Sequence, residues 1–198
     1  LKCGVSGFGE NIQYFLEPTG DDARVIGKKA AEEMWDDSHF TGLQQALFDA
    51  VGRANDVPIH RLLGRKVRDR AFMSWWAIDM PPADWVKECR LAIAEGYTAF
   101  KAKARPWFDL EGQCRVLSGI LPAHFEMDFD FNRMLLDSAH AVPYCVGLER
   151  FKHVAAYETP IPQSDVEGNK LLRRKTRIPI AMHYGDPPIM TALRQEIC

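Results

Sequence analysis

The feature that most constrains this chain is a regular alternation of strand-like and helix-like runs that starts near residue 70. Strand candidates fall at 71–78, 99–104, 126–132, 154–160 and 178–183. Helix candidates lie between them at 82–95, 109–121, 134–150 and 166–174, and a last one starts near Pro187. The helix over 134–150 contains Pro143, which predicts a break there. The strands recur roughly every 25–30 residues, the size of a βα unit. Such alternation predicts a parallel sheet, as a barrel or as a doubly wound sheet. No glycine-rich phosphate loop follows any strand, so a nucleotide site has no support.

Upstream of this alternation the texture differs. Residues 1–17 read as a β-segment with a glycine-rich turn from Gly4 to Gly9. A helix is predicted from Asp21 to about Ser38, capped by Asp21 or Asp22. A second runs over 41–55, with Leu43, Ala46, Leu47, Ala50 and Val51 at a 3.6-residue period. The segment from Val57 to Gly64 closes the region. At 198 residues the chain is long enough for one sizeable domain, or for one and a half small ones.

Charge excludes some classes of function. The net charge of -2 gives no electrostatic argument for nucleic acid or membrane. The basic run Arg173, Arg174, Lys175 and Arg177 falls at the end of a predicted helix, where cations suit the helix dipole. No stretch has the apolar length of a membrane span, and no signal peptide opens the chain. The five cysteines are widely spaced and odd in number, which predicts reduced thiols, several of them buried, and a cytoplasmic location. The chain starts at Leu1, in what reads as the middle of a strand, so an upstream piece is expected.

The polar residues concentrate at the predicted strand ends, where parallel α/β folds place their active sites. Lys101 and Lys103 are two apart on one strand and therefore share a face. If that face is inward, mutual repulsion and desolvation lower a lysine pKa toward neutrality, which suits a general base. If the strand is an edge, both ammonium groups are merely solvated. The next strand ends in Asp128, Asp130 and Asn132 at alternate positions, the fourth in Glu158-Thr159-Pro160, and the fifth in Met182-His183-Tyr184. Buried charges need partners or a metal, and Asp130 and Glu158 offer hard oxygen ligands suited to Mg²⁺. The tryptophans Trp75, Trp76 and Trp107 either line a pocket or pack the sheet.

This succession resembles the mandelate racemase/muconate lactonizing group of the enolase superfamily. The matching motifs are Lys101-Ala102-Lys103, Asp130-Phe131-Asn132, Glu158-Thr159-Pro160 and Ile178-Pro179-Ile180-Ala181. Gly7-Phe8-Gly9-Glu10 resembles the Gly-x-Gly-Glu segment of the family's N-terminal cap. The run from Ala46 to Gly52, with Pro58 and Leu62-Leu63-Gly64, resembles the cap's long helix and its exit. The resemblance implies an α/β fold, a modified (β/α)8 TIM barrel with an α+β N-terminal cap, both incomplete here: residues 1–66 as the cap and 67–198 as the barrel. It implies abstraction of the proton α to a carboxylate through an enediolate, with Mg²⁺ as cofactor. Lys103 is then the candidate base, Lys101 supports it, and Asp130 and Glu158 are metal ligands. Asn132, Trp76 and His183 become candidate substrate contacts. The expected substrate is a small carboxylate, with a sugar acid as the first candidate, and a homo-oligomer is expected.

Two departures stand out. The family's third metal ligand is a carboxylate on the fifth strand, whereas the matching position here is His183, or Tyr184 one residue on. An imidazole ligand at His183 would favour Mn²⁺ or Zn²⁺ over Mg²⁺. The chain also stops at Cys198, so strands six to eight of such a barrel are expected outside it. The first function expected is therefore a sugar-acid dehydratase, epimerase or racemase. The alternative is a catalytically inactive relative that binds a small carboxylate or has a structural role. A metal-dependent hydrolase is a weaker third, because His39, His60, His124, His140 and His153 do not fall at strand ends.

Overall fold

The computed structural model describes residues 1–11, 21–183 and 187–198. They form two compact units, Leu1–Ala71 and Phe72–Cys198.

In the first unit a 3-10 turn (Asp21–Val25) precedes three helices: α1 (Ala30–Glu33), α2 (Thr41–Ala54) and α3 (Ile59–Leu63). The long helix expected over 21–38 does not form. Gly27 takes a left-handed conformation, φ 81°, which ends the first turn and sends the chain to a short α1. Helix α2 matches its predicted period and buries Leu47, Phe48 and Val51 against Met34. The expected β-segment is not a strand over residues 1–11, and its remainder, 12–17, lies outside the described residues. Residues 7–11 instead lie along α2. The amide of Phe8 donates to Asp49 (2.9 Å), and the α2 amide of Gly42 donates to Asn11 Oδ1 (2.7 Å).

The second unit contains β1 (Trp75–Ala77), α4 (Pro82–Ala94), β2 (Ala99–Lys103), α5 (Leu110–Ser118), β3 (Glu126–Asp130), α6 (Ser138–Leu148), β4 (Val154–Glu158), α7 (Val166–Lys175), β5 (Ile180–Ala181) and α8 (Ile189–Gln195). The five strands form one parallel sheet in the order β1-β2-β3-β4-β5. Consecutive parallel neighbours joined by helices are the βα repeat that the alternation predicts. The outer strands β1 and β5 are shorter than predicted. Each pairs on one side only among the described residues, and Pro179 has no N–H to give a ladder.

Strand alternation divides the sheet into two chemically different faces. Phe100 and Ala102 of β2, Met127 and Phe129 of β3 and Tyr157 of β4 enter the buried core with Trp85, Cys89, Cys114 and Cys145. Trp85 is fully buried, stacks on Phe129 at 6.0 Å and donates its indole N–H to the Ile78 carbonyl (3.0 Å). Tyr157 donates its hydroxyl to the Cys145 carbonyl (2.8 Å). The opposite face carries the ionisable residues. All five cysteines are free, as expected, and three are buried. No helix among the described residues is long and apolar enough to cross a membrane.

Asp109, Asp137 and Asp165 cap α5, α6 and α7, each accepting from the amide three residues on at 2.9–3.0 Å. Two of the predicted helix boundaries change for local reasons. Helix α6 starts at Ser138, because residues 132–136 make a turn in which Asn132, Arg133 and Leu136 have positive φ. It also runs through Pro143 unbroken. Pro143 lies on the exposed side of the helix, where loss of one backbone hydrogen bond is least costly.

Candidate active site

The ionisable face is built by strand register. Lys101 lies opposite Asp128 and Lys103 opposite Asp130 in the β2–β3 ladder. Asp130 lies opposite Glu158 in the β3–β4 ladder. A bulge between Met127 and Asp128 makes this last pairing: Met127 aligns with Val154, yet Asp128 aligns with Ala156. The extra residue on β4 lets Val154 and Tyr157, three apart, both face the core, and it brings Glu158 beside Asp130. Strand β2 is interior to the sheet, so the solvated-edge reading of the two lysines does not apply.

Three carboxylates and two ammonium groups thus share one face at the C-terminal ends of three adjacent strands. Lys101 donates to Glu158 and Lys103 donates to Asp130, both in close ion pairs. Asp130 and Glu158 are buried, and both lysines are mostly covered. Asp128 Oδ1 is also buried, with no hydrogen-bond partner. Burial, together with the neighbouring charges of Glu158 and Asp130, pushes the Asp128 carboxyl up to about 6, against the pull of Lys101 and Lys103.

The expectation that burial and repulsion lower a lysine pKa in this pair does not hold at Lys101. Burial does work in that direction. The hydrogen bond to Glu158 and the charges of Glu158, Asp128 and Asp130 outweigh it, and the ammonium is held above its usual range. The lysine pair is visible along β2 alone, whereas the three carboxylates come to it from β3 and β4 through strand pairing.

The strand ends are held in unusual backbone conformations. Thr159, directly after Glu158, is β-branched and has φ 45°, and Asn132 has φ 47°. Strain at such positions is tolerated only where surrounding bonds enforce it. Here the Thr159 amide donates to the Ala181 carbonyl (2.9 Å), and the Arg133 amide donates to the Thr159 carbonyl (2.8 Å). Asn132 is no longer part of the strand, which ends at Asp130, so its side chain does not continue the row of Asp128 and Asp130. Its amide donates to Asp130 Oδ1 (2.9 Å) and thereby fixes that carboxylate.

Two positioning residues escaped the sequence reading. Arg105 donates to the Asp130 carbonyl (3.2 Å) and to Asn132 Oδ1 (2.8 Å), and it approaches Asp79 beyond β1 at 3.9 Å. It ties three strand ends together. Its signal was present, since Lys101, Lys103 and Arg105 are successive alternate residues. Gln163 accepts from the His183 amide (2.6 Å) and from the Thr159 hydroxyl (3.1 Å), and donates to the His183 carbonyl (3.0 Å). No sequence pattern pointed to Gln163.

The remaining candidates are less central. Trp76 lies opposite Lys101 in the ladder, on the ionisable face, and is exposed. Trp75 turns to the core side, donating to Glu88 (2.8 Å). His183 lies two residues past β5, exposed, with its backbone anchored by Gln163. Tyr184 lies outside the described residues. Among the described residues, Asp130, Glu158 and His183 do not form a set of ligand atoms within 4.8 Å of one another.

The donor chemistry nonetheless fits a divalent cation. Two buried carboxylates at adjacent strand ends supply hard oxygens, and the lysine ammonium groups sit on those oxygens as stand-in cations.

A five-stranded parallel sheet with an ionic cluster at the strand ends defines a βα-barrel type of architecture, and comparison narrows it. No family model matches the chain. It is 31% identical over 120 residues to the D-galactonate dehydratase of Variovorax paradoxus (strain S110), covering 50% of this chain and 31% of that protein. It is 39% identical over 59 residues to the chloromuconate cycloisomerase of Cupriavidus pinatubonensis (strain JMP 134 / LMG 1197), covering 30% of this chain and 16% of the relative. A solved enolase from Bradyrhizobium, complexed with magnesium and mandelic acid, aligns with a TM-score of 0.69 at 23% identity, covering 90% of this chain and 50% of the other. An isomerase from Streptomyces coelicolor A3(2) aligns at 0.76 and 21% identity, covering 99% and 61%. The chain spans less than half the length of the curated relatives it matches. In sequence the chain is thus related to D-galactonate dehydratases and a chloromuconate cycloisomerase, and its fold is shared with solved members of the enolase superfamily.

Proposed function

We propose that this chain carries the first half of the active site of an enzyme that removes the proton α to the carboxylate of a small acid, a sugar acid by preference. The reaction is then a dehydration, epimerisation or racemisation. In this reading the first unit is the α+β cap, the second is part of the barrel, and the enzyme works in the cytoplasm. The observation that carries the proposal is the register that sets Lys101, Lys103, Asp130 and Glu158 on one face at three adjacent strand ends. D-galactonate dehydratases among the relatives support the sugar-acid class.

Asp130 and Glu158 would hold the divalent ion, Mg²⁺ by ligand chemistry, or Mn²⁺ or Zn²⁺ if His183 joins through nitrogen. The ion, when bound, supplies positive charge that favours an ionised substrate carboxylate and acidifies the carbon beside it. Lys103 takes that proton on Nζ, and the neighbouring Lys101 keeps positive charge beside it. The Asn132 amide holds the Asp130 carboxylate, Arg105 holds Asn132 and the Asp130 carbonyl, and Gln163 holds the end of β5. Trp76 and His183 are exposed along the rim and contact the substrate.

The test is incubation of the complete protein with candidate sugar acids and Mg²⁺ in D₂O, followed by proton NMR. Deuterium at the α-carbon, lost in Lys103→Ala, is the expected result. Turnover by Lys103→Ala at the wild-type rate would overturn the assignment. A second reading, an inactive relative that binds a small carboxylate, is favoured by the non-carboxylate at His183. It predicts carboxylate binding by calorimetry with no deuterium incorporation for any acid.

A further inference from the structure

We propose that Asp128 receives the Lys101 ammonium when a divalent ion takes the carboxylates of Asp130 and Glu158, and that this transfer sets the protein's affinity for the ion. The inference rests on the functional reading above. It starts from an unequal arrangement of partners. Lys103 pairs with Asp130, its direct neighbour in the ladder. Lys101 does not pair with its own direct neighbour, Asp128. It reaches across β3 to Glu158 on β4. Neighbouring strands are about 4.7–4.9 Å apart, so Lys101 spans two inter-strand steps where one would serve. Asp128 Oδ1 meanwhile stays buried without a donor. Buried polar atoms in folded proteins are nearly always partnered, and an orphan carboxylate oxygen calls for an explanation.

A divalent ion supplies that explanation. Once Glu158 and Asp130 give their lone pairs to an ion, they no longer accept from the lysines, and the new positive charge repels both ammonium groups. Lys101 then needs an acceptor on the same face. The register places Asp128 at the adjacent position, with a free oxygen already out of water. The strand spacing shows that the side chain has the length to reach it. Asp128 thereby acts on the ion through Lys101, as a positioning residue. It is distinct from a third ligand: among the described residues, Asp128, Asp130 and Glu158 do not form a set of ligand atoms within 4.8 Å.

The test is a double-mutant cycle on the complete protein, read by calorimetric titration with Mg²⁺ and by the electron paramagnetic resonance of free Mn²⁺. Asp128→Asn should weaken ion binding by about 10–100-fold, the usual effect of an outer partner. In the Lys101→Met background the same change should have little effect, because no ammonium remains to be received. Asp128→Glu should restore most of the affinity. Lys101→Gln replaces Lys101→Met if the latter does not fold. Equal weakening in both backgrounds would mean that Asp128 acts as a ligand or by its charge alone, and would overturn the proposal. So would an Asp128→Asn protein with unchanged affinity. Glu158→Gln separates the two readings. If it leaves ion binding intact, the functional assignment itself fails. If it abolishes binding while the cycle shows no coupling, only the transfer to Asp128 fails.

Discussion

Gly9→Ala tests how the segment over residues 7–11 is held on α2. A Cβ at Gly9 would lie 1.9 Å from the Gly42 carbonyl oxygen and 2.8 Å from the Ala46 amide nitrogen. Both are backbone atoms inside a helix, so neither can turn aside as a flexible side chain would. Gly7 makes an equally close approach, 2.0 Å from the Ala46 carbonyl oxygen. The segment must therefore lift from α2. Lifting removes the Phe8 bond to Asp49 (2.9 Å), the Glu10 bond to Gln45 (3.2 Å) and the Gly42 bond to Asn11 (2.7 Å), along with the Arg53 guanidinium over the Phe8 ring at 5.1 Å. The Gly42 bond matters most. Phe40, at the start of α2, offers no capping side chain, so Asn11 serves an otherwise orphaned helix amide. At about 0.5–1.5 kcal/mol per hydrogen bond, with the exposed ones at the low end, the loss is about 2–4 kcal/mol. The assay is urea unfolding together with amide hydrogen exchange. The expected result is a lower midpoint for the first unit and fast exchange at Gly42. A Gly9→Ala protein with an unchanged midpoint and a protected Gly42 amide would refute the close-packing argument.

Three further outcomes are expected. Arg105→Lys keeps the charge but loses the fork that joins the Asp130 carbonyl to Asn132, so it should cost about 1–2 kcal/mol in chemical denaturation and shift the Asn132 side-chain NMR resonances; unmoved resonances would contradict the staple. Glu149 accepts from the Arg177 amide and guanidinium at 2.6 and 2.7 Å, and although burial opposes it, Arg177 holds the carboxyl below its usual range. Its stabilisation is thus complete above the unfolded value of about 4.3 and is lost as pH falls through the lower folded value. Glu149→Gln should therefore be less stable than wild type at pH 7, and the difference should vanish in acid; a gap that persists at pH 2 would refute the linkage. Gln163→Leu removes three bonds at the ends of β4 and β5, and is expected to speed exchange of the His183 amide at least tenfold while leaving that of Phe100, in the core of β2, unchanged.

Much of the chain's element order was legible because its signals are local. Strand runs and the apolar positions of α2 depend on residues a few places apart, so periodicity finds them. The same holds for Lys101 and Lys103 sharing a face, since alternation along one strand needs no knowledge of its neighbours. What tertiary structure alone decided is how the strands align. The bulge at Val154 and Ala155 sets Glu158 beside Asp130, and no pattern within β4 announces it. The Lys101 pKa moves up rather than down for the same reason: the lysine pair is encoded within one strand, whereas the acids that outweigh burial arrive from two other strands. The long helix over 21–38 and the break at Pro143 failed from the other direction. There a residue type was weighed by its average tendency, while the outcome turned on one glycine's left-handed conformation and on which side of α6 a proline faced. Local patterns thus determined the order of the elements and the residues that carry charge. Pairing between strands determined which charges meet, because electrostatic energy depends on distances that only the assembled sheet defines.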